Sequence, residues 1–274
     1  MSWWAVETRP PADAREAVAQ WLARETGQAA LERDDGAVVG YVTEEDAARR
    51  LAGRLVSAFG QVPEPALQPV AVEDWSVRWR DGIAIRTIGR LTVGPSWLLE
   101  PGAGRVVVDP EMAFGTGEHG STRSVLALLQ RHLVPGTRVL DVGSGSAILA
   151  IAAAQLGARR ALGIEIDPEA EPVARKNLAR NGVDAVVELL TGDAEALAPL
   201  LGPVELIVSN ILRSVNTSLL PTLRETLAEG GLAIFGGMEL VERDDFLPEL
   251  AAGGFTPVDE AEDAGWWAVA ARAR

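Results

Sequence analysis

The middle of the chain shows one order of elements that constrains the fold most. It consists of a strand, a glycine turn, a helix and a second strand that ends in an acidic residue. Residues 139–142 form an apolar run typical of a buried strand, Gly143 and Gly145 follow directly, and residues 148–156 form an apolar run of helix length. A glycine turn lets the backbone lie close to a ligand, and the free amides at the helix start favour a negative group. Glu165 ends the next predicted strand, where a carboxylate can accept hydrogen bonds from both hydroxyls of a ribose. The order therefore predicts a nucleotide-binding strand–helix–strand unit.

The glycine spacing also indicates which kind of nucleotide is bound. A dinucleotide fingerprint reads G-x-G-x-x-G, but Ile148 occupies the position five residues after Gly143. A nicotinamide-dependent oxidoreductase is therefore the least favoured enzyme class. The shorter pattern acidic-x-G-x-G remains, and it begins at Asp141. An ordinary glycine turn is the alternative for the loop alone, and the presence of Glu165 disfavours it.

Strand and helix patterns alternate from about residue 100 to the end of the chain, which predicts a mainly parallel sheet with helices on both faces. The strands are expected at residues 106–108, 138–142, 161–165, 186–190, 206–209, 232–235, 256–258 and 266–270. Only residues 259–265 separate the last two strands, too few for a crossover helix, so these two are expected to pair antiparallel. Residues 229–231 (Glu-Gly-Gly) are predicted to form a turn. The predicted fold class is α/β, with a Rossmann-like domain over residues 100–274.

Residues 1–74 show the pattern of a small α+β domain. Strands are expected at residues 3–8, 30–33, 37–42 and 70–72. One helix is expected after Asp13 and another after Thr43, each capped by that side chain. This order predicts a ferredoxin-like fold. Residues 75–99 are expected to link the two domains, and their tryptophans, Trp75 and Trp79, are interpreted as buried, with an exposed docking surface as the alternative.

Composition and charge exclude several kinds of site and partner. The chain of 274 residues has no cysteine and only two histidines, His119 and His132, so thiolate chemistry is excluded and no metal is expected. Its formal net charge of −14 disfavours nucleic-acid binding. The first residues lack a targeting signal, and the longest apolar run, residues 147–158, is too short for a membrane helix. We therefore expect a cytoplasmic protein, and a monomer, that binds neither nucleic acid nor membrane.

Polar residues at the ends of two later strands are candidate ligand contacts. Asn210 follows the strand at residues 206–209, and ligands of open α/β sheets gather at the carboxyl ends of strands. The alternative is an asparagine that ends the strand by bonding its own backbone. Asp193 follows the strand at residues 186–190, where a surface turn explains it equally well.

A second glycine-containing loop precedes a helix expected at residues 123–133, which Ser121 or Thr122 is expected to cap. Small residues around Phe114 allow this loop to lie over a ligand, with Phe114 as an apolar lid. A purely structural loop is the alternative.

Most of the chain resembles the family of methyltransferases that modify large-subunit ribosomal protein L11 (PrmA), which are class I S-adenosylmethionine-dependent enzymes. The residues that carry the resemblance are Asp109, Pro110, residues 112–117, His119, Thr122, residues 139–143, 148–153 and 166–168, Asn177, and residues 181–183 and 210–212. The Phe-Gly-Thr-Gly loop followed by His is specific to that family and near relatives. The resemblance implies a seven-stranded methyltransferase domain, preceded by a ferredoxin-like domain that docks the ribosomal substrate.

The resemblance also implies the residues that bind the cofactor, S-adenosyl-L-methionine. Those implied to contact it are Thr122, Gly143, Gly145, Glu165, Asn210 and, beside the adenine, Asp193. Phe114 and Gly117 are implied to shape a lid.

Three positions depart from the family pattern: Ala147 replaces a glycine, Glu165 an aspartate and Ser121 a threonine. If residue 147 needs a positive φ, the alanine costs about 1 kcal/mol. The expected consequence is a lower affinity for the cofactor.

The implied reaction is methyl transfer to amino groups of ribosomal protein L11, on lysine side chains or the N-terminus. Such a displacement needs aligned and desolvated reactants rather than a metal or a strong acid. Asn210 is the candidate for orienting the amine or the cofactor. His119 is a candidate proton acceptor, with a structural hydrogen-bonding role as its alternative. A same-fold methyltransferase for another protein lysine or a small molecule, and a non-catalytic scaffold, stay open as alternatives.

Overall fold

The computed structural model describes residues 3–12, 14–26, 30–33, 35–60, 62–70, 84–109 and 117–274. The chain divides into two compact units, Met1–Gly82 and Ile83–Arg274. The predictions for Trp75, Trp79 and Phe114 fall outside the described residues.

The first unit consists of a four-stranded antiparallel sheet and two helices. Its elements are β1 (Trp3–Thr8), α1 (Arg15–Thr26), β2 (Leu31–Glu32), β3 (Val38–Val42), α2 (Glu45–Phe59) and β4 (Ala66–Val70). The strand order β2-β3-β1-β4 confirms the predicted ferredoxin-like arrangement. Val6 from β1, Val18 and Leu22 from α1, and Leu51 and Leu55 from α2 form the centre of its core.

The last strand of this unit lies earlier than predicted. It covers Ala66–Val70, whereas the prediction was residues 70–72, of which 71 and 72 are outside the described residues. The sheet tolerates Pro69 within β4 because β4 is an edge strand, where a missing N–H leaves no ladder partner unpaired.

The predicted cap of the second helix was wrong. α2 begins at Glu45, with Glu44 at its N-cap and no side-chain cap bond, so Thr43 does not cap it. Glu45 and Asp46 instead place negative charge in the first turn, where the helix dipole favours it. The other predicted cap, Asp13, lies outside the described residues.

The second unit begins with a small sheet of three strands, β5 (Arg86–Ile88), β6 (Leu91–Gly94) and β7 (Arg105–Val107). The strand predicted at residues 106–108 is therefore not part of the main sheet. The reason lies in its open edge, where the Asn181 side chain accepts a hydrogen bond from Val107 N at 2.9 Å and donates to Val107 O at 2.7 Å. These bonds satisfy backbone groups that another strand would otherwise pair.

The main sheet of the second unit has seven strands, as predicted for the methyltransferase fold. They are β8 (Arg138–Val142), β9 (Arg160–Glu165), β10 (Val187–Thr191), β11 (Val204–Asn210), β12 (Leu227–Glu239), β13 (Phe255–Asp263) and β14 (Trp266–Ala273). Their order is β10-β9-β8-β11-β12-β14-β13. β8 to β12 are parallel, and β14 pairs antiparallel with both β12 and β13. The antiparallel ending is thus confirmed.

Helices cover both faces of this sheet. They are α3 (Gly120–His132), α4 (Ile148–Gln155), α5 (Glu171–Asn181), α6 (Ala194–Leu201), α7 (Arg213–Thr226) and α8 (Arg243–Ala252), with a 3₁₀ turn at Leu240–Glu242. Within the described part of the chain, no helix has the length and apolar character that crossing a membrane requires.

The strand order places a crevice at one edge of the sheet. β8 lies between β9 and β11, and the helices that follow β8 and β11 pack into different cores on opposite faces: α4 on one and α7 on the other. Because the connections after β8 and β11 diverge, their carboxyl ends border an open crevice, the usual ligand position in open α/β sheets.

Two local predictions in this unit were wrong. Residues 229–231 lie within β12, where Gly230 has φ 71° and the pairing with β11 changes register, rather than in a separate turn. Helix α3 begins at Gly120 with His119 at its N-cap and no side-chain cap bond, so neither Ser121 nor Thr122 caps it. Both hydroxyls bond other side chains, as described below.

Candidate active site

A cavity of about 710 Å³ lies at the carboxyl edge of the main sheet, in the crevice beside β8 and β11. Its lining comes from the carboxyl ends of five parallel strands and the residues that follow them, from the start of α3 and from the first residue of β14. The volume is within the range of about 300–1,000 Å³ that small-molecule sites occupy. Gly143, Gly145, Glu165, Asp193 and Asn210, all predicted from the sequence, line this one cavity together with His119.

The glycine loop after β8 is held by three backbone amides. Gly143 N and Ser144 N both donate to Ile164 O, at 2.9 and 3.0 Å, and Gly145 N donates to Glu165 Oε2 at 2.8 Å. Gly143 has φ 72°, and a Cβ added there would lie 2.3 Å from Ile211 Cγ2. Glycine is therefore required at 143 both by the backbone conformation and by the close approach of the loop that follows β11.

Glu165 lies at the end of β9, as predicted, and its two oxygens accept different backbone amides. Oε2 accepts from Gly145 and Oε1 accepts from Asp167 N at 3.0 Å. A carboxylate offers about four acceptor positions, so both oxygens keep capacity for a ligand hydroxyl. Glu165 thus fixes the glycine loop and lines the cavity at the same time.

Asp193 has a structural role that differs from the surface turn weighed against ligand binding. It is the N-cap of α6, and its carboxylate accepts from Glu195 N at 2.9 Å. It also lines the cavity, so contact with the adenine stays a prediction.

Asn210 is held at the end of β11 by the network of a buried neighbour. Asn216 accepts from Ser209 Oγ at 2.7 Å and donates to Ile211 O and Gly236 O at 3.1 and 3.0 Å. These bonds fix the backbone on both sides of Asn210. The Oδ1 atom of Asn210 is buried and has no hydrogen-bond partner, so it is an acceptor available to a ligand in the cavity.

Thr122 and Ser121 differ in their access to the cavity, and contact of Thr122 with the cofactor stays a prediction. Thr122 is fully buried, and its hydroxyl accepts a long hydrogen bond of 3.4 Å from Asn210 Nδ2. Ser121, the departure from the family pattern, is the residue of the pair that lines the cavity. Gly117 is buried with φ 80° against Val93 and lies outside the cavity lining.

His119 is the N-cap residue of helix α3, and its ring packs against the ring of Trp266. The ring centroids are 4.2 Å apart, and His119 Nδ1 is 2.7 Å from Ser121 Oγ. Burial, with the positive charge of Arg123, holds the pKa of His119 below its ordinary value. The imidazole is therefore neutral near pH 7 and able to accept a proton.

Comparisons with known proteins agree with this geometry. The family model described as "Ribosomal protein L11 methyltransferase (PrmA)" matches residues 7–274. The ribosomal protein L11 methyltransferase of Thermus thermophilus is 42% identical over 205 residues, which are 74% of this chain and 79% of that protein. The one of Gloeobacter violaceus is 34% identical over 277 residues, covering 96% and 86% of the two chains.

The chain belongs to the ribosomal protein L11 methyltransferase family.

A solved structure supports the same assignment. The crystal structure of ribosomal protein L11 methylase from Lactobacillus delbrueckii subsp. bulgaricus has a TM-score of 0.62 at 31% identity, covering 69% of this chain and 99% of that chain. Membership of the L11 methyltransferase family confirms the predicted family, the Rossmann-like fold and the class of enzyme.

Several lining residues of the cavity in this L11 methyltransferase family member were not predicted as site residues, Trp266 and Gly237 among them. Trp266 is the first residue of β14, and α3 holds the adjoining end of β13 through a bond of 2.9 Å from Arg123 Nε to Asp263 Oδ2. Gly237 has φ 80°, and a Cβ there would lie 2.3 Å from Ile211 O. The paired glycines at 236 and 237 were a signal for close backbone approach, whereas nothing in the sequence indicated that Trp266 reaches the cavity.

Ala147 has a positive φ of 66°, the backbone conformation in which an alanine is strained and a glycine is not. Replacing it with glycine is expected to raise the free energy of unfolding by about 1 kcal/mol, which is about 2–4 °C in Tm. Thermal unfolding of Ala147→Gly would measure this. The matched control is Ala153→Gly in the interior of α4, where the same change is expected to destabilise because glycine is a poor helix former. Equal losses in both variants would contradict strain at position 147.

Asp141, the acid of the glycine-loop pattern, is fully buried behind the loop. Its Oδ2 accepts from Ala150 N at 3.0 Å, and its Oδ1 has no hydrogen-bond partner. Burial, assisted by the negative charge of Glu165, raises the pKa of Asp141 to about 7. The carboxyl thus helps to hold the start of α4 and does not line the cavity.

Asp141→Asn is expected to stabilise the protein, relative to the wild type, by an amount that grows as pH rises from 3.8 to about 7 and stays constant above that. Because the pKa of Asp141 is raised from 3.8 to about 7, ionisation costs folded-state stability as pH rises through that window. Asparagine keeps an acceptor for Ala150 N and never ionises. The Tm of the variant relative to the wild type is therefore expected to be higher by about 3 °C or more at about pH 8 than at about pH 5. A Tm difference that does not vary with pH would contradict this account.

Proposed function

We propose that this protein transfers methyl groups from S-adenosyl-L-methionine to amino groups of ribosomal protein L11, on lysine side chains or the N-terminus. The observation that carries the proposal is the unpartnered, buried Oδ1 of Asn210 in the cavity that the glycine loop also lines. A buried acceptor without a partner is costly in a folded protein, so a ligand that donates a hydrogen bond explains it.

The residues present fit the cofactor. The glycine loop approaches the loop after β11 so closely that a Cβ at Gly143 would overlap Ile211, which leaves backbone as the surface offered to a ligand. We assign Glu165 to the ribose hydroxyls, Gly143 and Gly145 to the amino-acid part, and Asp193 to the adenine. When bound, S-adenosyl-L-methionine supplies a methyl group already activated by a positive sulfur.

The acceptor amine belongs on the side of the cavity formed by Asn210, His119 and Trp266. A lysine amine has an ordinary pKa of about 10.4 and must lose its proton before it can attack the methyl carbon. Asn210 orients the amine or the cofactor through its free oxygen, and the neutral imidazole of His119 accepts the proton. The apolar wall of Trp266 excludes water and favours the uncharged amine. The uncharged amine held in this way would present its lone pair to the methyl group that the cofactor would supply.

The amino-terminal domain, predicted at residues 1–74, docks the ribosomal protein in this proposal. The second unit begins at Ile83 and includes β5 and β6, so the predicted linker, residues 75–99, is in part the start of the methyltransferase domain predicted at 100–274. The proposal of a separate docking domain is supported by the ferredoxin-like sheet of the first unit, which has a hydrophobic core of its own. The net charge of −14 supports a basic protein partner over a nucleic acid. We further propose that the protein acts in the cytoplasm, as a monomer and away from membranes.

Intact-mass analysis of purified ribosomal protein L11, incubated with this protein and S-adenosyl-L-methionine, tests the proposal. Whole methyl increments in the mass of L11 are expected. Measurable cofactor binding without any increase in the mass of L11 would indicate that the substrate is another protein lysine or a small amine. Absence of cofactor binding as well would favour a non-catalytic scaffold.

A further inference from the structure

Asn177, on helix α5, connects the glycine loop, residues 143–147, here called the cofactor loop, to Asp109, two residues after β7. Its side chain is 1% exposed and lies outside the cavity lining. Its Nδ2 donates to Ser146 O, in the cofactor loop, at 3.1 Å. Its Oδ1 accepts from Asp109 N at 3.2 Å and from Arg180 Nη1 at 2.9 Å. The sequence pattern singled out Asn177, but no role followed from it.

These partners fix which way the amide of Asn177 points. Both groups near Oδ1 are donors, so a reversed amide would set N–H against N–H on one side and oxygen against Ser146 O on the other. Asp109 is itself held, because its carboxylate accepts from Ser96 N at 2.7 Å and pairs with Arg180 Nη2 at 2.8 Å. Asp109 and Arg180 therefore hold the Asn177 amide so that its N–H group points at Ser146 O.

The bond ends next to the strained position of the loop. Gly143, Gly145 and residue 147 all have positive φ, of 72°, 49° and 66°, but residue 147 is an alanine. Alanine disfavours this conformation, so without a restraint the loop at 146–147 would relax away from it. The carbonyl that Asn177 holds belongs to the peptide unit immediately before Ala147.

We infer that Asn177 is a positioning residue that holds the cofactor loop in its binding conformation and offsets the strain of Ala147. The inference rests on the proposed function in one respect, that the loop binds S-adenosylmethionine. The affinity for the cofactor therefore depends on a side chain that does not touch it.

Calorimetric binding of S-adenosylhomocysteine to the full-length protein tests the inference. Asn177→Ala is expected to weaken binding about tenfold, the effect of one buried hydrogen bond, with kcat at saturating cofactor changed less than about twofold. In the Ala147→Gly background the same change is expected to cost only about threefold, because glycine adopts the conformation unaided. Affinity of Asn177→Ala within about twofold of wild type, or an equal loss in both backgrounds, would overturn the inference.

Two further variants separate positioning from general destabilisation. Asn177→Asp keeps the acceptor for Asp109 N and Arg180 but loses the donor, so it is expected to weaken binding at least as much as alanine. Asn181→Ala is the matched control: Asn181, also on α5, is 9% exposed and bonds the backbone of Val107 and, at 2.7 Å, the backbone carbonyl of Asn177, but not the loop. It is expected to lower Tm with the affinity unchanged. A loss of affinity in Asn181→Ala equal to that of Asn177→Ala would overturn the positioning role.

The result distinguishes the inference from the proposed function. Absence of binding by the wild-type protein would reject the cofactor site itself. Wild-type binding without methylation of L11 would reject the substrate and leave the role of Asn177 standing.

Discussion

Replacing Asn210 with alanine is expected to lower kcat/KM for methylation of ribosomal protein L11 by about a hundredfold to a thousandfold, the usual effect of removing a hydrogen-bonding group that acts at the reacting atoms. Asn210 is held by the Asn216 network on both sides, and its Oδ1 has no partner within the protein. A preorganised acceptor of this kind costs no rearrangement when the amine or the cofactor binds. Initial rates of methyl incorporation into L11, at saturating cofactor and varied L11, measure the change.

Two variants make the Asn210 result specific. Asn210→Asp keeps an oxygen at the Oδ1 position and is expected to lose about tenfold, less than alanine. Asn181→Ala is a matched asparagine-to-alanine change outside the cavity and is expected to stay within about threefold of the wild type. A wild-type kcat/KM in Asn210→Ala would show that Asn210 ends the strand without orienting the amine or the cofactor.

Replacing Glu165 with alanine is expected to weaken binding of S-adenosylhomocysteine by about a hundredfold. Charge-assisted hydrogen bonds are worth about 1.5–3 kcal/mol each, and alanine removes the acceptor for the ribose hydroxyls together with the acceptor for Gly145 N. The ribose is remote from the reacting carbon, so kcat at saturating cofactor is expected to change less than about threefold. Calorimetric titration and the KM for S-adenosylmethionine provide the two measurements.

Glu165→Asp is the matched variant, because it restores the residue that is usual in the family. It keeps the charge and is expected to stay within about fivefold of wild-type affinity. Glu165→Gln keeps one acceptor oxygen and loses the charge, so an intermediate affinity is expected. Equal affinities for alanine, glutamine and the wild type would show that Glu165 holds the loop without binding the ribose.

The spacing of residues was enough to predict one wall of the cavity, the wall that the proposed function assigns to the cofactor. The order of strand, glycines, helix and Glu165 placed Gly143, Gly145 and Glu165 together, because all of them belong to one strand–helix–strand unit with fixed geometry. Asn210 was predicted for a related reason, since the carboxyl ends of parallel strands meet at one edge of a sheet. The errors fell on local choices that tertiary contacts override, such as the caps at Thr43, Ser121 and Thr122.

The acceptor side of the site depended on contacts between distant segments. Trp266 reaches His119 only because the antiparallel hairpin folds against α3, where a Cβ on Gly120 would lie 2.4 Å from Asp263 O. The pairing of Asn177 with Ser146 likewise joins residues on different elements. Sequence periodicity carries no information about such approaches, because it describes one element at a time.

By itself the sequence determined the fold class, the position of the glycine loop between β8 and α4, and the family, because these follow from periodicity and short spacings along the chain. The tertiary structure alone decided which side chains close the cavity, that Asp141 is buried with a raised pKa, and that Ala147 is held at a positive φ. The physical reason is that burial, strain and long-range hydrogen bonds are properties of packed neighbours, which only the folded chain brings together.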